Sequence, residues 1–121
     1  MSMKILTVDD SRTMRDMLRL ALTSAGYNVV QAIDGIDGLA VLERESPDVV
    51  ITDINMPKMD GFGFIEGARK REKFRILPIL VLTTESDPEK KQRARSAGAT
   101  GWIIKPFDPT KLVDVIRRVA A

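Results

Sequence analysis

The sequence has no cysteine and no histidine among its 121 residues. Without cysteine there is no disulfide framework and no thiolate chemistry. Without histidine there is no histidine-ligated zinc site, no Ser-His-Asp triad and no phosphohistidine of the chain's own. No apolar run approaches the roughly 18 residues that a membrane helix needs, and "MSMKILTVDD" reaches acidic residues too soon for a signal peptide. These absences indicate a cytoplasmic protein that works with carboxylates, hydroxyls and lysines.

The composition is that of an ordinary globular domain. Hydrophobic residues make up 44% and charged residues 30% of the chain, and its length suits one domain with one core. The net charge of +2 is too small to indicate nucleic-acid binding by itself. We therefore expect a single domain over residues 1–121, with no output domain and no membrane segment.

Short apolar runs alternate with helical patterns along the chain. The apolar runs predict five strands, at 4–8, 27–32, 48–53, 78–84 and 101–104. Helical spacing and end signals predict five helices: Met14 to Ala25 (with Met17 on its apolar face), 36–45, 63–72, 88–97 and a last one that begins near Pro109. The third and fourth strands are apolar almost throughout, which is typical of parallel strands covered on both faces. The alternation predicts an α/β fold with right-handed crossovers.

Polar residues interrupt the apolar runs where the predicted strands end. These residues are Asp9 and Asp10 at the end of strand one, Asp53 at the end of strand three, Thr83 and Thr84 at the end of strand four, and Lys105 and Pro106 at the end of strand five. Ligands of open parallel sheets bind at the carboxyl ends of the strands. If strands one and three are neighbours, three carboxylates share one rim with a hydroxyl and an ammonium group.

This combination suits a divalent cation and a phosphoryl group. Neighbouring carboxylates repel one another unless a cation neutralises them, and all-oxygen ligands favour Mg²⁺ or Ca²⁺. An aspartate can itself attack a phosphoryl group and form an acyl phosphate, while a lysine and a metal balance the charge. Each residue alone has an ordinary interpretation, as a helix cap, a turn residue, a strand residue or a solvated lysine. It is the combination of three carboxylates, a hydroxyl and a lysine at the strand ends that indicates such a site.

Four motifs carry a family resemblance: "VDDS" (8–11), "DINMPKMDG" (53–61), "LTT" (82–84) and "KPF" (105–107). With these motifs at its strand ends, the whole chain resembles the receiver domain of two-component response regulators. It is most similar to the stand-alone chemotaxis type, called CheY-like. The resemblance implies a flavodoxin-like (βα)5 three-layer sandwich, with a five-stranded parallel sheet in the order 2-1-3-4-5.

The resemblance also implies how the acidic residues act. Asp53 would accept a phosphoryl group from a histidine kinase of the CheA-like kind. Asp10 and Asp53 would bind Mg²⁺ directly, together with the backbone carbonyl of Asn55, and Asp9 would act through water. The absence of histidine agrees with this scheme, because the donor histidine belongs to the partner.

Other positions are assigned by the same resemblance. Thr83 and Lys105 would hold the phosphoryl oxygens, and Lys105–Pro106 would be a cis peptide bond. Trp102 occupies the position of a switch aromatic that turns inward on phosphorylation, where tyrosine or phenylalanine is usual. Asn55 and Glu85 occupy positions that tune the lifetime of the acyl phosphate in the family.

For partners, the resemblance implies a sensor kinase and an output target, such as the flagellar motor switch, on the face of helix four, strand five and helix five. A phosphatase is a further possible partner. The basic stretches 69–75 and 90–95 are read as solvated helix faces and ends, or as a docking surface for an acidic partner. Neither predicts nucleic-acid binding, since no aromatics are interleaved. We expect a monomer.

Two alternatives remain open from the sequence. The protein could be a phosphate sink or phosphorelay shuttle without a motor target. It could also be a phosphatase with Asp53 as nucleophile, although such enzymes typically place a second aspartate two residues on, where Asn55 stands here. The favoured interpretation is a switch that is not an enzyme and that assists only its own phosphorylation and dephosphorylation. The glycines of 61–67 have the wrong spacing for a dinucleotide site.

Overall fold

A computed structural model describes residues 3–120, which form five strands, five α-helices and one 3-10 turn. In chain order these are β1 (Lys4–Val8), α1 (Arg12–Ser24), β2 (Asn28–Ala32), α2 (Gly35–Glu45), β3 (Val49–Thr52), α3 (Gly61–Arg69), the 3-10 turn (Glu72–Phe74), β4 (Ile79–Thr83), α4 (Pro88–Ala97), β5 (Gly101–Ile104) and α5 (Pro109–Ala120). None of the helices within residues 3–120 is long and apolar enough to cross a membrane.

The five strands form one parallel sheet in the order β2-β1-β3-β4-β5. This confirms the fold class and the strand order. β1 and β3 are direct neighbours, with Val8 opposite Thr52. The residues that follow these two strands, Asp9 and Asp53, therefore leave the sheet side by side. The sequence predicts a shared acidic rim if strands one and three are neighbours, and in the structure they are.

The sheet separates two hydrophobic clusters, because successive side chains of a strand point to opposite faces. In β1, Leu6 packs into the cluster beneath α2, α3 and α4, whereas Ile5 packs into the cluster beneath α1 and α5. The fully buried residues of β3 and β4 divide in the same way. Strands buried on both faces explain the nearly continuous apolar runs of the sequence.

Element ends differ from the predictions by a few residues. β3 is shorter by one residue at each end than the predicted 48–53. α3 begins at Gly61 rather than 63, because the Asp60 carboxylate accepts the Gly63 amide proton at 2.9 Å and caps the helix. It ends at Arg69 rather than 72, since a separate 3-10 turn follows. Met17 was predicted on the buried face of α1 and is 47% exposed, so that expectation is wrong.

Candidate functional site

Asp53 lies where β3 ends in the middle of the sheet. Its amide donates to the Val8 carbonyl at 2.9 Å, which extends the β1–β3 pairing by one residue. The residue is only 8% exposed. Its Oδ1 accepts a hydrogen bond from the Ile54 amide at 2.6 Å, and its Oδ2 faces Lys105. The carboxylate is thus fixed at both oxygens at the edge of the core.

Lys105 follows β5 and joins two of the acidic residues. Its Nζ lies 2.8 Å from Asp53 Oδ2 and 3.0 Å from Asp9 Oδ2. Its backbone amide donates to the Thr83 carbonyl at 2.8 Å, so the β4–β5 pairing sets its position. The following peptide bond, Lys105–Pro106, is cis. The lysine is therefore a bridging cation and not a solvated surface residue.

Three carboxyl groups meet at this edge of the sheet. Asp9, Asp10 and Asp53 each offer an oxygen, and these atoms lie within 4.8 Å of one another. Asp9 is buried and accepts the Ser11 amide at 2.9 Å through Oδ1, whereas Asp10 is exposed. Three carboxyl groups against one lysine leave an excess of negative charge. With an all-oxygen donor set and one exposed ligand, the cluster fits a hard divalent cation that keeps some of its waters.

The pKa values of Asp9 and Lys105 are set by burial and hydrogen bonding. Burial raises the pKa of Asp9, and this effect outweighs the hydrogen bonds from the Ser11 amide and Lys105, which act in the opposite direction. Burial by itself would lower the pKa of Lys105, but its hydrogen bonds to Asp53 and Asp9 prevail and raise it. Lys105 is therefore protonated at neutral pH and supplies a permanent positive charge beside Asp53.

Thr83 ends β4, the neighbour of β3, and is completely buried. Its Oγ1 accepts a hydrogen bond from the Glu85 amide at 3.2 Å. The Glu85 side chain is directed to α4, where its Oε2 lies 3.1 Å from Lys90 Nζ. Thr84, between them, is exposed. The hydroxyl beside the acidic cluster is thus connected to the first turn of α4 through the β4–α4 loop.

The loop after Asp53 is held by backbone hydrogen bonds. Gly61 donates to the Ile54 carbonyl at 2.8 Å, and Gly35 donates to the Met59 carbonyl at 3.0 Å. A Cβ atom on Gly61 would collide with the Asp53 carbonyl oxygen and would lie 2.8 Å from Ile54 Cα. A glycine is therefore required where α3 starts. Asn55, in this loop, is exposed.

Trp102 lies in β5 opposite Val81 and is half-buried. It packs against the cluster beneath α2, α3 and α4. With Ala94 and Arg95 of α4 it lines a small hollow of about 40 Å³. The indole thus occupies the junction of α4 and β5 in this structure.

The structure therefore brings Asp9, Asp10, Asp53 and Lys105 together, with Thr83 on the adjacent strand end. Two contributors were missed by sequence reasoning. The Ile54 amide binds Asp53 through the backbone, which no side-chain pattern can signal. Lys90 reaches Glu85 across five positions, and only the path of the β4–α4 loop brings them together. The basic stretch 90–95 pointed to this segment but not to that contact.

Comparison with known proteins identifies the class to which this fold and site belong. Residues 5–117 match the family model of the response regulator receiver domain. The chain belongs to that family. This confirms the resemblance drawn from the four sequence motifs.

Among curated relatives, the chain is 39% identical over 116 residues to the probable transcriptional regulator ycf27 of Porphyridium aerugineum, matching 96% of this chain and 47% of that protein. It is 38% identical over 119 residues to the chemotaxis protein CheY-3 of Vibrio cholerae, matching 98% of this chain and 92% of that one. The chain thus spans about half the length of the first of these relatives and nearly all of the second.

Solved structures of response regulators and receiver domains have the same fold. Chemotaxis protein CheY4 of Vibrio cholerae superposes with a TM-score of 0.94 at 45% identity, over 98% of this chain and 99% of that one. The receiver domain of a sensor histidine kinase from Pseudomonas aeruginosa, described with a magnesium ion coordinated in the active site cleft, superposes with a TM-score of 0.92 at 28% identity, over 99% and 98%. The likeness to CheY proteins over nearly the full chain supports the CheY-like type.

Proposed function

We propose that this receiver domain is a phosphorylation-controlled switch that accepts a phosphoryl group on Asp53 from a histidine kinase. The observation that carries the proposal is the Asp53 carboxylate, held at a strand end between the Ile54 amide and the Lys105 ammonium group and within reach of Asp9 and Asp10. A carboxylate fixed in this way loses little conformational freedom when it attacks a phosphorus atom.

The transfer requires one bond to form and one to break. An Asp53 oxygen attacks the phosphorus of the kinase phosphohistidine, and the P–N bond breaks as the imidazole leaves with a proton from solvent. Lys105 already lies 2.8 Å from Asp53 Oδ2 and supplies positive charge for the phosphoryl oxygens. The Thr83 hydroxyl, on the adjacent strand end, is the proposed donor to another of those oxygens.

Magnesium is the proposed cofactor. Asp10, Asp53 and the Asn55 carbonyl would hold it directly and Asp9 through water, where it would neutralise phosphoryl charge. The oxygen donor set supports this assignment, as does the magnesium ion of the Pseudomonas receiver domain.

The output we propose is a change at the face of α4, β5 and α5 that is recognised by a partner in chemotaxis, such as the flagellar motor switch. The similarity to CheY-3 and CheY4 over nearly the full chain supports a chemotaxis role. Trp102, at the junction of α4 and β5, is the proposed switch aromatic. The chain would act as a cytoplasmic monomer that turns over no external substrate.

Mass spectrometry tests the proposal directly. Wild-type protein incubated with Mg²⁺ and acetyl phosphate should gain the mass of one phosphoryl group, and Asp53→Asn should not. Asp48→Asn is the matched control, because Asp48 lies at the opposite end of β3 and should leave labelling unchanged. Labelling that survives in Asp53→Asn would contradict the assignment, as would a wild-type chain that is never modified under rapid quenching.

A binding experiment separates a switch from a phosphate sink. Purified motor-switch protein should bind the phosphorylated chain more tightly than the unphosphorylated chain. A chain that is phosphorylated on Asp53 but shows equal affinity in both states would favour the sink and would remove the chemotaxis role.

A further inference from the structure

The β4–α4 loop is fastened at both ends by contacts of one residue, Glu85. Its backbone amide donates to Thr83 Oγ1 at 3.2 Å, and its carboxylate accepts from Lys90 Nζ at 3.1 Å. The side chains of Glu85 and Lys90 are 25% and 44% exposed, so the ion pair lies at the surface without being fully solvated. The position of the acid is therefore set by a lysine on α4.

The Glu85 carboxylate is held towards α4, and this has an electrostatic consequence. The cluster at the strand ends already contains three carboxyl groups and one lysine. A phosphoryl donor brings further negative charge to it, about two charges per phosphate group at neutral pH. A fourth carboxylate released beside Thr83 would repel the donor, whereas one that is bound to an ammonium group on α4 is both neutralised and kept aside.

The backbone of Lys90 lies in the capped first turn of α4. Asp87 caps the helix and accepts the Glu89 amide at 2.9 Å, and Pro88 occupies its first turn. Lys90 is the third residue of the helix, so its backbone belongs to a capped turn and not to the loop. The helix thus fixes the backbone position from which the Lys90 ammonium group reaches the Glu85 carboxylate.

We propose that Lys90 is a positioning residue for phosphorylation, which acts by holding the Glu85 carboxylate away from the incoming donor. This inference rests on the proposed function and adds a residue to it. Within residues 3–120, Lys90 forms no hydrogen bond or ion pair with Asp53 or Lys105, and in this proposal it acts through Glu85 alone. Its effect on the reaction should therefore disappear when Glu85 carries no charge.

A double-mutant cycle tests this dependence. The initial rate of Asp53 phosphorylation is measured by mass spectrometry with Mg²⁺ and acetyl phosphate, a small anionic donor. Lys90→Met should lower the rate about two- to fivefold, the range that corresponds to a partly exposed ion pair. Glu85→Gln alone gives the reference rate of a chain in which Lys90 has no carboxylate to hold. The double variant Glu85→Gln/Lys90→Met should return to the rate of Glu85→Gln.

Two further variants separate position from bulk charge. Lys91→Met removes the same charge from the next residue of α4, where Lys91 is exposed and forms no ion pair within residues 3–120, and it should stay near the wild-type rate. Lys90→Arg keeps a cation in reach of Glu85 and should preserve the rate. Urea unfolding of each variant monitors the fold.

The outcomes distinguish this inference from the function on which it rests. Equal rates for Lys90→Met and Lys91→Met would overturn the inference, and so would a loss that persists when Glu85→Gln is added. In both cases phosphorylation on Asp53 still stands. A wild-type chain that gains no phosphoryl group overturns both.

Discussion

At the scale of single residues, Lys105 has the largest number of roles in the site. Its ammonium group contacts two carboxylates that follow two different strands, and its side chain is only 11% exposed. Removing one partner of a shielded ion pair leaves the remaining charges without compensation, which costs more than the pair itself contributes. The residue should therefore be important for stability as well as for phosphoryl transfer.

Lys105→Met tests this double role. Without Mg²⁺, we expect the free energy of unfolding to fall by about 1–3 kcal/mol, because Asp9 and Asp53 then lack a cation. Urea unfolding at neutral pH measures the loss. Lys111→Met, an exposed lysine of α5, is the control and should change little. Adding Asp53→Asn to Lys105→Met should restore part of the stability, and a single variant as stable as wild type would refute the argument.

Most residues of the candidate site could be predicted because each directly follows an apolar strand. Asp53 and Lys105 were recognisable in this way, since a charge at the end of a buried run is conspicuous in a sequence. Their mutual distances depend on which strands are neighbours, and no local pattern contains that information. Lys90 could not be predicted, because an exposed lysine on a basic helix looks like any other solvated lysine.

At the scale of elements, the start of α3 is set by close backbone contact. Gly61→Ala should lower the free energy of unfolding by about 1–3 kcal/mol, because the new methyl group meets backbone atoms of Asp53 and Ile54 that cannot easily move. Urea unfolding measures the change.

The same substitution at Gly67 provides the control for α3. There a Cβ atom would lie 2.9 Å from the end of the flexible Leu39 side chain, which can adjust. Gly67→Ala should be neutral or stabilising by up to about 1 kcal/mol, as alanine favours helix interiors. Equal losses at the two positions would show that the close approach of Gly61 is not the cause.

α2 and the 3-10 turn are connected by an ion pair that should respond to pH. Glu43 lies 2.8 Å from both Arg71 Nε and Lys73 Nζ. The hydrogen bond from Lys73 is the main cause that lowers the pKa of Glu43 from its ordinary 4.5. Because the folded-state pKa is the lower one, the stabilisation is present above the unfolded-state pKa and is lost as the pH falls through the folded-state value.

Glu43→Gln should therefore be less stable than wild type at neutral pH in low salt. The difference should begin to shrink as the pH falls towards 4.5 and should vanish only once the pH is below the lowered folded-state pKa of Glu43. Urea midpoints along a pH series measure it. Glu66→Gln, an exposed acid of α3 with no ion pair within residues 3–120, should show no such difference. A gap between Glu43→Gln and wild type that stays constant at acidic pH would contradict the prediction.

The elements themselves were largely predictable, whereas their ends were not. Hydrophobic periodicity identified all ten helices and strands that the structure shows within residues 3–120. The end of α3 was placed too late because "RKRE" (69–72) continues a helical composition. In the structure Arg69 instead turns its guanidinium group to the carbonyls of Phe74 and Gly98, and the chain leaves the helix there. Such tertiary contacts override local propensity.

At the scale of the whole molecule, metal binding should stabilise the fold. A ligand that binds only the folded state adds about 1.4 kcal/mol at ten times its dissociation constant. Titration with Mg²⁺ should raise the urea midpoint of wild type in this manner, and EDTA should reverse it. Asp10→Asn should remove most of the gain, while Asp16→Asn, on the exposed side of α1, should retain it. An equal gain in both variants would argue against the acidic cluster as the binding site.

The α/β class of the molecule followed from the alternation of strands and helices, but the order of the strands did not. Pairing between β1 and β3 joins segments about 45 residues apart, as in the pair Ile5 and Val49. Only the family resemblance supplied that order in advance. Topology of this kind is non-local, and a single sequence read by periodicity cannot determine it.

The division of the interior by the sheet also constrains how this protein can change over time. Ile5 and Leu6 are adjacent in the chain, yet they pack in different clusters. A smaller side chain at Leu6 can be compensated by a larger one at Val41 or Phe64, which share its cluster, and by none at Leu18 or Ile116. Compensating substitutions should therefore arise within one face at a time, so that the two halves of the interior diverge independently.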